Sequence, residues 1–376
     1  MSERGRGTEG VELDKVLVIA LIALCMIAAA STLAAAHGTS TIGFDFRGNE
    51  WDPARAVLHG HNPYHLVTRA YLVAHSNAFL LPPLVALLTI PLAVLPFAYA
   101  FGIWTAASVV AFIAALRLVG LRDRRCYALA CLSLPCVANM ELGQLSAFLA
   151  LGYALTWRFR DRRYLPGLIV AVMIALKLLA WPLLLWLVFT RRPRAALVGV
   201  VTAPALVATS WAVIGFQGLR GFAHALAVDS DAFETRTHSI TAIVKSIGLS
   251  RHTGELTTIA VCLGLLALAL LAARRKDDIA AFAAATGAGI YGSPLVHPHY
   301  LLPVVIVLAI ARPRPTWEWL ALTILWFSPR EPVLSAWRLD VAVACGVVIV
   351  LSLSRPARAR IDMVAERIHA RVAATS

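Results

Sequence analysis

Uncharged apolar blocks constrain this chain more than any other feature of its sequence. The first block, residues 16–36, reads VLVIALIALCMIAAASTLAAA and contains no charged side chain. A helix of about 20 apolar residues crosses the hydrocarbon core of a bilayer, which is about 30 Å thick. Further apolar blocks follow, and only 15% of all residues are charged, against about 25% in soluble proteins. The sequence therefore predicts an all-α polytopic membrane protein.

The basic residues are distributed as in a membrane protein rather than a nucleic-acid-binding protein. The net charge is +13, which alone would be compatible with a nucleic acid partner. Most Lys and Arg residues, however, lie in the two tails and in short clusters between apolar blocks, and such clusters mark cytoplasmic loops. The clusters are at residues 117–125, 158–163, 191–194, 274–276 and 312–314. We therefore expect a multi-pass plasma-membrane protein with cytoplasmic tails, 1–15 and 355–376, and no nucleic acid partner.

Placing the basic clusters inside gives a topology of about 12 transmembrane helices. The whole chain, residues 1–376, is then a single integral-membrane domain with cytoplasmic N- and C-termini. Two long segments lie outside in this topology, a large first outer loop at 37–78 and a second outer loop at 215–254.

Two apolar blocks depart from simple membrane spans. Block 79–118 is too long for one span, and we expect a short or re-entrant helix from Pro82 to Pro96 before the full span 97–118. The two halves of block 164–190 are short, so this hairpin is expected to dip into the membrane. Irregular backbone at such depth is stable only where protein or a water-filled cavity covers it.

The polar residues of the predicted outer loops and helix tips converge on one side of the membrane. All histidines except His369 fall there, although the topology was built from Lys and Arg alone, so we expect the chemistry on the outer face. These polar residues are Asp45, Glu50, Asp52, His59, His61, His65, Asn139, Glu141, Gln144, Lys177, Asp229, Asp231, His238, His297 and His299.

Most of these residues also have a purely structural interpretation. Glu50, Asp52, Asp229 and Asp231 can be solvated loop acids, and the three histidines of HGHNPYH can lie on an interfacial helix. The Asn and Gln of NMELGQ can cap helix ends. The six cysteines lie in or at the ends of apolar blocks without a zinc-type spacing, and we interpret them as small apolar side chains.

Lys177, His297, His299 and Asp45 are harder to explain structurally. Lys177 stands between AVMIAL and LLAWPLLLW, and a lysine within a membrane helix costs about 2.5–3.5 kcal/mol. His297 and His299 flank a proline at a predicted helix start, which favours anions. Asp45 lies between two phenylalanines where the chain leaves the membrane. Burial there would raise its pKa toward a value useful for a general base.

One chemistry that fits this set is group transfer from a lipid-anchored phosphate. Lys177 and the two histidines would hold the phosphate and its developing charge. Because a phosphate leaves as an anion, one carboxylate base that deprotonates an acceptor hydroxyl is enough. Glycoside hydrolysis differs, since a carboxylic acid must protonate a poor leaving group.

Two other classes of protein stay open on the residues alone. A transporter or flippase of a lipid-linked or anionic substrate would show paired repeats and broken helices near the midplane, whereas no internal repeat is found. The segments HGHNPYH and HPH also permit a metal-binding membrane protein, in which carboxylates would support the ligands. Sensitivity to chelators would distinguish that class.

Several segments, taken in order, match a known family. They are GFDF with ARAVLHGHNPY, LLPPLVALLTIPLAVLP, NMELGQLSAFLALGYAL, ALKLLAWPLLLWLVFTRRPRA and YGSPLVHPHYLLPV, and they span most of residues 43–305. With these segments the chain resembles the polyprenyl-phosphate-sugar-dependent C-type glycosyltransferases of family 87. The family includes α-1,2-mannosyltransferases of the mycobacterial and actinobacterial type.

The resemblance implies a GT-C-type fold whose first outer loop carries the catalytic acid. On that basis Asp45 is the base that activates the acceptor hydroxyl, and Asp52, in the same loop, is the alternative base. The resemblance implies three further groups: donor phosphate and sugar contacts, the sugar pocket, and the groove for the donor lipid. The donor phosphate and sugar contacts are Lys177, His297, His299 and Tyr64. The sugar pocket is lined by Gln144 and Asn139, and the lipid groove is shaped by Pro82 and Pro83.

The substrates follow from the same resemblance. The donor would be polyprenyl-phosphate mannose, and the acceptor a glycolipid or lipoglycan of the cell envelope. The resemblance implies transfer with inversion on the outer face, without a metal ion or other cofactor. Ser146 stands where family members often carry Asn, and Leu178 where a proline is common. An arabinofuranosyltransferase that uses polyprenyl-phosphate arabinose therefore stays open as the alternative.

Overall fold

The computed structural model describes residues 14–39, 41–75, 77–233 and 237–327. This part of the chain is helical and contains no strand, which confirms the all-α prediction. The α-helices are α1 (Lys15–Thr39), α2 (Asp52–Leu58), α3 (Arg69–His75), α4 (Pro83–Ala93), α5 (Phe97–Leu118), α6 (Arg124–Cys131), α7 (Leu134–Leu142), α8 (Ser146–Arg158), α9 (Leu165–Leu176), α10 (Pro182–Phe189), α11 (Pro193–Val213), α12 (Leu219–Ala232), α13 (Ile240–Ser246), α14 (Arg251–Arg274), α15 (Asp278–Tyr291), α16 (Leu302–Ala311) and α17 (Trp317–Ile324).

Four of these helices are long and apolar enough to cross a membrane: α1, α5, α11 and α14. Shorter apolar helices accompany them, among them α4, α9 and the segments Leu178–Phe189 and Pro298–Ala311. These lengths fit a membrane protein. The count of about 12 spans, which also rested on hydropathy, stays a prediction, and its last predicted span, 339–354, lies outside the described residues.

Both predicted interruptions of the apolar blocks are present. Block 79–118 divides between α4 and α5. Pro96, the residue before α5, has an extended backbone, because a proline cannot continue a helix. Block 164–190 divides at Lys177, which has φ −158° and ψ 126° and so ends α9 in an extended conformation. The short 3-10 helix Leu178–Ala180 follows. The apolar block 126–138 also divides, into α6 and α7.

The two predicted outer loops contain helices of their own. The first holds a π-helix, Phe46–Trp51, followed by α2 and α3, and the second holds α12 and α13. The hydrophobic pattern alone did not predict these helices, because α2, α3 and α13 span only seven residues each. Helices this short take their stability from tertiary packing rather than from helix propensity.

Two apolar clusters fix the helices around the first outer loop. The larger core surrounds α15, whose Ala- and Gly-rich sequence is buried along its whole length. Small side chains let neighbouring helices approach closely: a Cβ on Gly289 would collide with the Leu179 carbonyl oxygen of the segment after Lys177. The second cluster packs the π-helix against α4 and α5 through Phe46, Trp51 and Trp104.

Candidate active site

Asp45 precedes the π-helix at its N-cap position without a capping hydrogen bond, and the neighbouring aromatic cluster orients it. The next side chain, Phe46, is fully buried, with its ring centroid 6.0 Å from Phe97, 5.9 Å from Phe101 and 5.2 Å from Trp104. Single-turn π-helices are rare and are frequently found at functional sites. Burial of Phe46 therefore fixes the direction in which the neighbouring Asp45 points.

Two amide side chains donate hydrogen bonds to Asp45. Asn77 Nδ2 lies 3.2 Å from Asp45 Oδ1, and Gln144 donates a second side-chain hydrogen bond. Two glycines make this approach possible. A Cβ on Gly48 would lie 2.5 Å from Asn77 Nδ2, and a Cβ on Gly143, which has φ +76°, would lie 2.6 Å from the Phe46 Cβ. Gly48 thus leaves room for Asn77 beside Asp45, and Gly143 lets the LGQ segment approach Phe46.

The environment of Asp45 raises the pKa of its carboxyl group. Burial is the largest cause, and the neighbouring Glu141 acts in the same direction. The hydrogen bond from Gln144, the Lys177 ammonium and the hydrogen bond from Asn77 oppose this shift. A carboxylate that is more basic than usual, yet held by donors that favour its ionised form, suits a general base.

Lys177 brings a positive charge into the same cluster. Its extended backbone between α9 and the 3-10 helix releases the side chain from the helix surface, and its Nζ lies 3.8 Å from the centroid of the Tyr300 ring. Both residues are only partly buried, and a cation over an aromatic face at an exposed site gains about 0.5–1 kcal/mol. The Lys177 ammonium interacts electrostatically with Asp45, His297 and His299. The structure therefore brings the predicted base and the predicted cation together.

His297 and His299 form a stacked pair beside Lys177. Their ring centroids are 5.6 Å apart with 16° between the ring planes. His299 is 2% exposed, and no described residue makes a hydrogen bond to either of its ring nitrogens. The preceding Val296 is fixed from the second outer loop, since its carbonyl accepts hydrogen bonds from His238 N at 2.7 Å and Thr237 Oγ1 at 3.0 Å. Two unused imidazole nitrogens inside the protein require a partner.

Glu50 corrects one interpretation of the sequence. It is not a solvated loop acid: its exposed fraction is 0%, and no described residue donates a hydrogen bond to its carboxyl oxygens. Burial, followed by the charge of Asp45, raises the pKa of Glu50 well above its usual value, against the effect of Lys177. The hydrogen-bond spacing of five residues in a π-helix returns Glu50 to the side of Asp45.

Asp229 is a second acid whose position the sequence did not reveal. It lies on α12 of the second outer loop and is half-buried rather than solvated. Burial, together with the charge of Asp45, raises the pKa of Asp229 to about 6. Asp231, two residues on, pairs instead with Arg251 and is exposed. The second outer loop therefore contributes one carboxyl group to the surroundings of Asp45.

Asn139 is buried in the helix pair that carries Gln144. Its Oδ1 accepts a hydrogen bond from Ala147 N, in the first turn of α8, at 3.2 Å, while no described residue accepts from its Nδ2. Glu141 also has a structural role, because its backbone carbonyl accepts a hydrogen bond from Gly43 N at 2.7 Å. These contacts hold the first outer loop against α7.

Tyr64, Asp52 and the two prolines lie apart from the Lys177 cluster. Tyr64 stacks on Trp211 at 4.9 Å, and its hydroxyl donates to the Leu81 carbonyl at 2.8 Å. Asp52 is exposed on α2. Pro82 and Pro83 are buried where α4 begins. The roles predicted for these residues stay predictions.

The first outer loop lines two cavities, the second of them together with residues of the second outer loop. One, of about 280 Å³, is lined by Phe44, Arg47, Gly48, Asp52, Pro53, Ala56, Pro63, His65, Tyr71, His75, Asn77, Ala78 and Phe79. The other, of about 210 Å³, is lined by Asn62, Tyr64, His65, Leu66, Val67, Phe79, Gly218, Gly221, Phe222, His224 and Ala225. Neither lining includes the predicted lipid-groove prolines. Across the described ranges, no group of three or more His, Cys, Asp and Glu is arranged to hold a metal ion.

One comparison with known proteins identifies the chain. The family model described as "Glycosyltransferase family 87" matches residues 79–298, more than half of the 376 residues. The match contains Gln144, Lys177 and His297, whereas Asp45 precedes it and His299 follows it by one residue. No curated protein and no solved structure matched the chain.

Proposed function

The chain belongs to glycosyltransferase family 87, and from this premise we propose that it transfers a mannosyl residue from polyprenyl-phosphate mannose to a cell-envelope glycolipid or lipoglycan. The reaction takes place on the outer face of the plasma membrane. The observation that carries the proposal is the position of Asp45. It lies in one partly buried cluster with Lys177, and Gln144, within the matched segment, donates to its carboxylate.

The cluster supports a single displacement at the anomeric carbon of the donor sugar. Asp45 accepts the proton of the acceptor hydroxyl while the acceptor oxygen forms a bond to that carbon. The bond from the carbon to the phosphate oxygen breaks, and its electron pair leaves with the polyprenyl phosphate. Attack opposite the leaving group inverts the anomeric configuration, so a β-linked donor gives an α-linked product.

Lys177, His297 and His299 are the groups that would meet the phosphate. The Lys177 ammonium compensates the negative charge that builds up on the leaving phosphate, in surroundings where little water screens it. The ring N–H of His299, whose nitrogens have no hydrogen-bond partner among the described residues, would donate to a phosphate oxygen. This reaction needs neither a metal ion nor another cofactor.

Sugar transfer by purified protein tests the proposal and identifies the donor. The protein is reconstituted in liposomes with an actinobacterial envelope lipid extract and either labelled polyprenyl-phosphate mannose or labelled polyprenyl-phosphate arabinofuranose. We expect the mannosyl label in the lipid product, with no loss in the presence of EDTA. Label from arabinofuranose alone would assign the alternative donor, and label from neither would contradict the proposed function.

The proposed membrane face can be tested by chemical labelling of intact cells. His61→Cys places a thiol on the exposed end of the first outer loop, and Arg275→Cys places one in a basic cluster expected inside. A membrane-impermeant maleimide should label His61→Cys in intact cells and Arg275→Cys only after lysis. The reverse pattern would place the site on the cytoplasmic face.

A further inference from the structure

The larger cavity lies next to Asp45, which does not itself line it. Asn77, which donates to Asp45, and Gly48, which makes room for Asn77, both line it. Its lining does not include Lys177, His297 or His299. A ligand in this cavity would therefore reach the base from a different direction than a phosphate held by Lys177.

Three aromatic rings form a continuous stack in the wall of this cavity. The Tyr71 ring centroid is 5.7 Å from that of His65 and 4.3 Å from that of His75, with 26° and 19° between the planes. Tyr71 and His75 lie one turn apart on α3, and His75 Nδ1 is 3.0 Å from the Tyr71 carbonyl. The stack is thus held from α3, and all three of its residues line the cavity.

The lining of the cavity also includes one negatively and one positively charged side chain. Asp52 and Arg47 line it, and both are exposed to solvent. A carboxylate only accepts hydrogen bonds and a guanidinium only donates them. Together they suit the hydroxyls of a sugar, each of which can both donate and accept. Sugar rings also present apolar C–H faces, which pack on aromatic rings. A volume of about 280 Å³ is at the low end for small-ligand sites, about 300–1,000 Å³.

The neighbouring cavity has a contrasting, apolar lining. It shares His65 and Phe79 with the larger one, and its wall includes Val67, Phe222 and Ala225. A cavity with charged side chains in its lining, in contact with a more apolar one, matches an amphiphile, which would place its sugar in the first and the adjoining part of its lipid in the second.

We propose that the cavity lined by Arg47, Asp52, His65, Tyr71 and His75 is the acceptor subsite and binds the terminal sugar of a lipid-linked glycan. The rings at the two ends of the stack, His65 and His75, are the platform for that sugar, and Tyr71 between them holds both rings in position. This inference rests on the proposed function, because it assigns the second substrate of the same reaction. It also gives Asp52 a binding role in place of the alternative role as base.

Tyr71→Ala and Tyr71→Phe test the platform, with Val73→Ala as the matched control. Val73 lies on the same helix, is 79% exposed and does not line the cavity. We expect Tyr71→Ala to raise the acceptor KM about tenfold or more, the loss of roughly one stacked contact, while the donor KM stays unchanged. Tyr71→Phe and Val73→Ala should keep both KM values. An unchanged acceptor KM in Tyr71→Ala, or a raised donor KM, would overturn the proposal.

A binding measurement separates this inference from the proposed function. Saturation-transfer NMR with methyl α-mannopyranoside is recorded for the purified wild type, Tyr71→Ala and Val73→Ala. A signal that is lost only in Tyr71→Ala supports the subsite even if neither lipid-linked donor is used. Absence of binding to the wild type, or equal binding to Tyr71→Ala, overturns the subsite even if sugar transfer is observed.

Discussion

Asp45 and Glu50 lie five residues apart, at the start and near the end of one π-helix, and the negative charge of Asp45 acts on the carboxyl group of Glu50. The two acids differ in their partners. Asp45 accepts hydrogen bonds from Asn77 and Gln144, whereas no described residue donates to Glu50. Because two neighbouring carboxylates repel, the acid without donors is the one that keeps its proton.

Glu50→Gln should therefore stabilise the protein at neutral and alkaline pH. The folded-state pKa of Glu50 is raised above the unfolded value of about 4.3, so stability falls as the pH rises between these two values. Because glutamine carries no ionisable group, the variant does not lose stability in this way as the pH rises. We expect equal melting temperatures for wild type and variant near pH 4 and a higher value for Glu50→Gln at pH 8, measured in detergent. A lower value at pH 8 would mean that folded Glu50 is ionised and paired.

Gly48→Ala should disturb Asp45 without touching it. The new Cβ would displace Asn77, and loss of a hydrogen bond to a charged group corresponds to about 1.5–3 kcal/mol. We expect kcat to fall about tenfold to a hundredfold. Gly102→Ala is the matched control, because nothing lies within 4 Å of the position of its Cβ.

A double mutant shows whether the Gly48 effect passes through Asn77. In Asn77→Ala the hydrogen bond is already absent, so adding Gly48→Ala should cost little more. Full additivity of the two losses would contradict this explanation, since it would mean that Gly48 acts on another contact.

Lys177→Met should impair donor binding and sugar transfer without lowering the stability of the protein. The variant removes the charge that faces the proposed phosphate, and loss of one such group costs about 10²–10³ in kcat. The melting temperature should hold or rise, because methionine avoids the burial of an ammonium group. Donor kinetics and thermal unfolding are measured on the same preparation. An unchanged kcat with a normal donor KM would exclude Lys177 from the phosphate site.

The sequence predicted those features of the fold that single residues enforce locally. Pro96 cannot continue a helix, so the division of block 79–118 could be predicted. Lys177 among apolar residues indicated a site because its burial has no structural benefit. The pairing of Asp45 with Gln144 was not visible in the residues themselves. It became an expectation through the family resemblance, which placed both residues in one site.

The positions of Glu50, Asn77 and Asp229 could not be predicted in the same way. Glu50 is adjacent to Asp45 because of the π-helix, and hydrophobic periodicity does not distinguish a π-helix from an α-helix over six residues. Asn77 and Asp229 reach Asp45 by tertiary packing of short helices in the outer loops. The signal that was available is Gly48 in GFDFRG, because a glycine in a helix indicates close approach of another group.

Transfer rates for wild type, Asp45→Asn and Asp52→Asn, measured over a range of pH with saturating donor and acceptor, test the central claim most directly. The account predicts that Asp45→Asn loses about 10²-fold or more in kcat, the contribution of a general base. Because the pKa of Asp45 is raised, the wild-type rate should increase with pH through a value above the ordinary aspartate pKa of about 3.9. Asp52→Asn should keep kcat and this pH profile. Equal kcat for wild type and Asp45→Asn, with the loss in Asp52→Asn instead, would contradict the account.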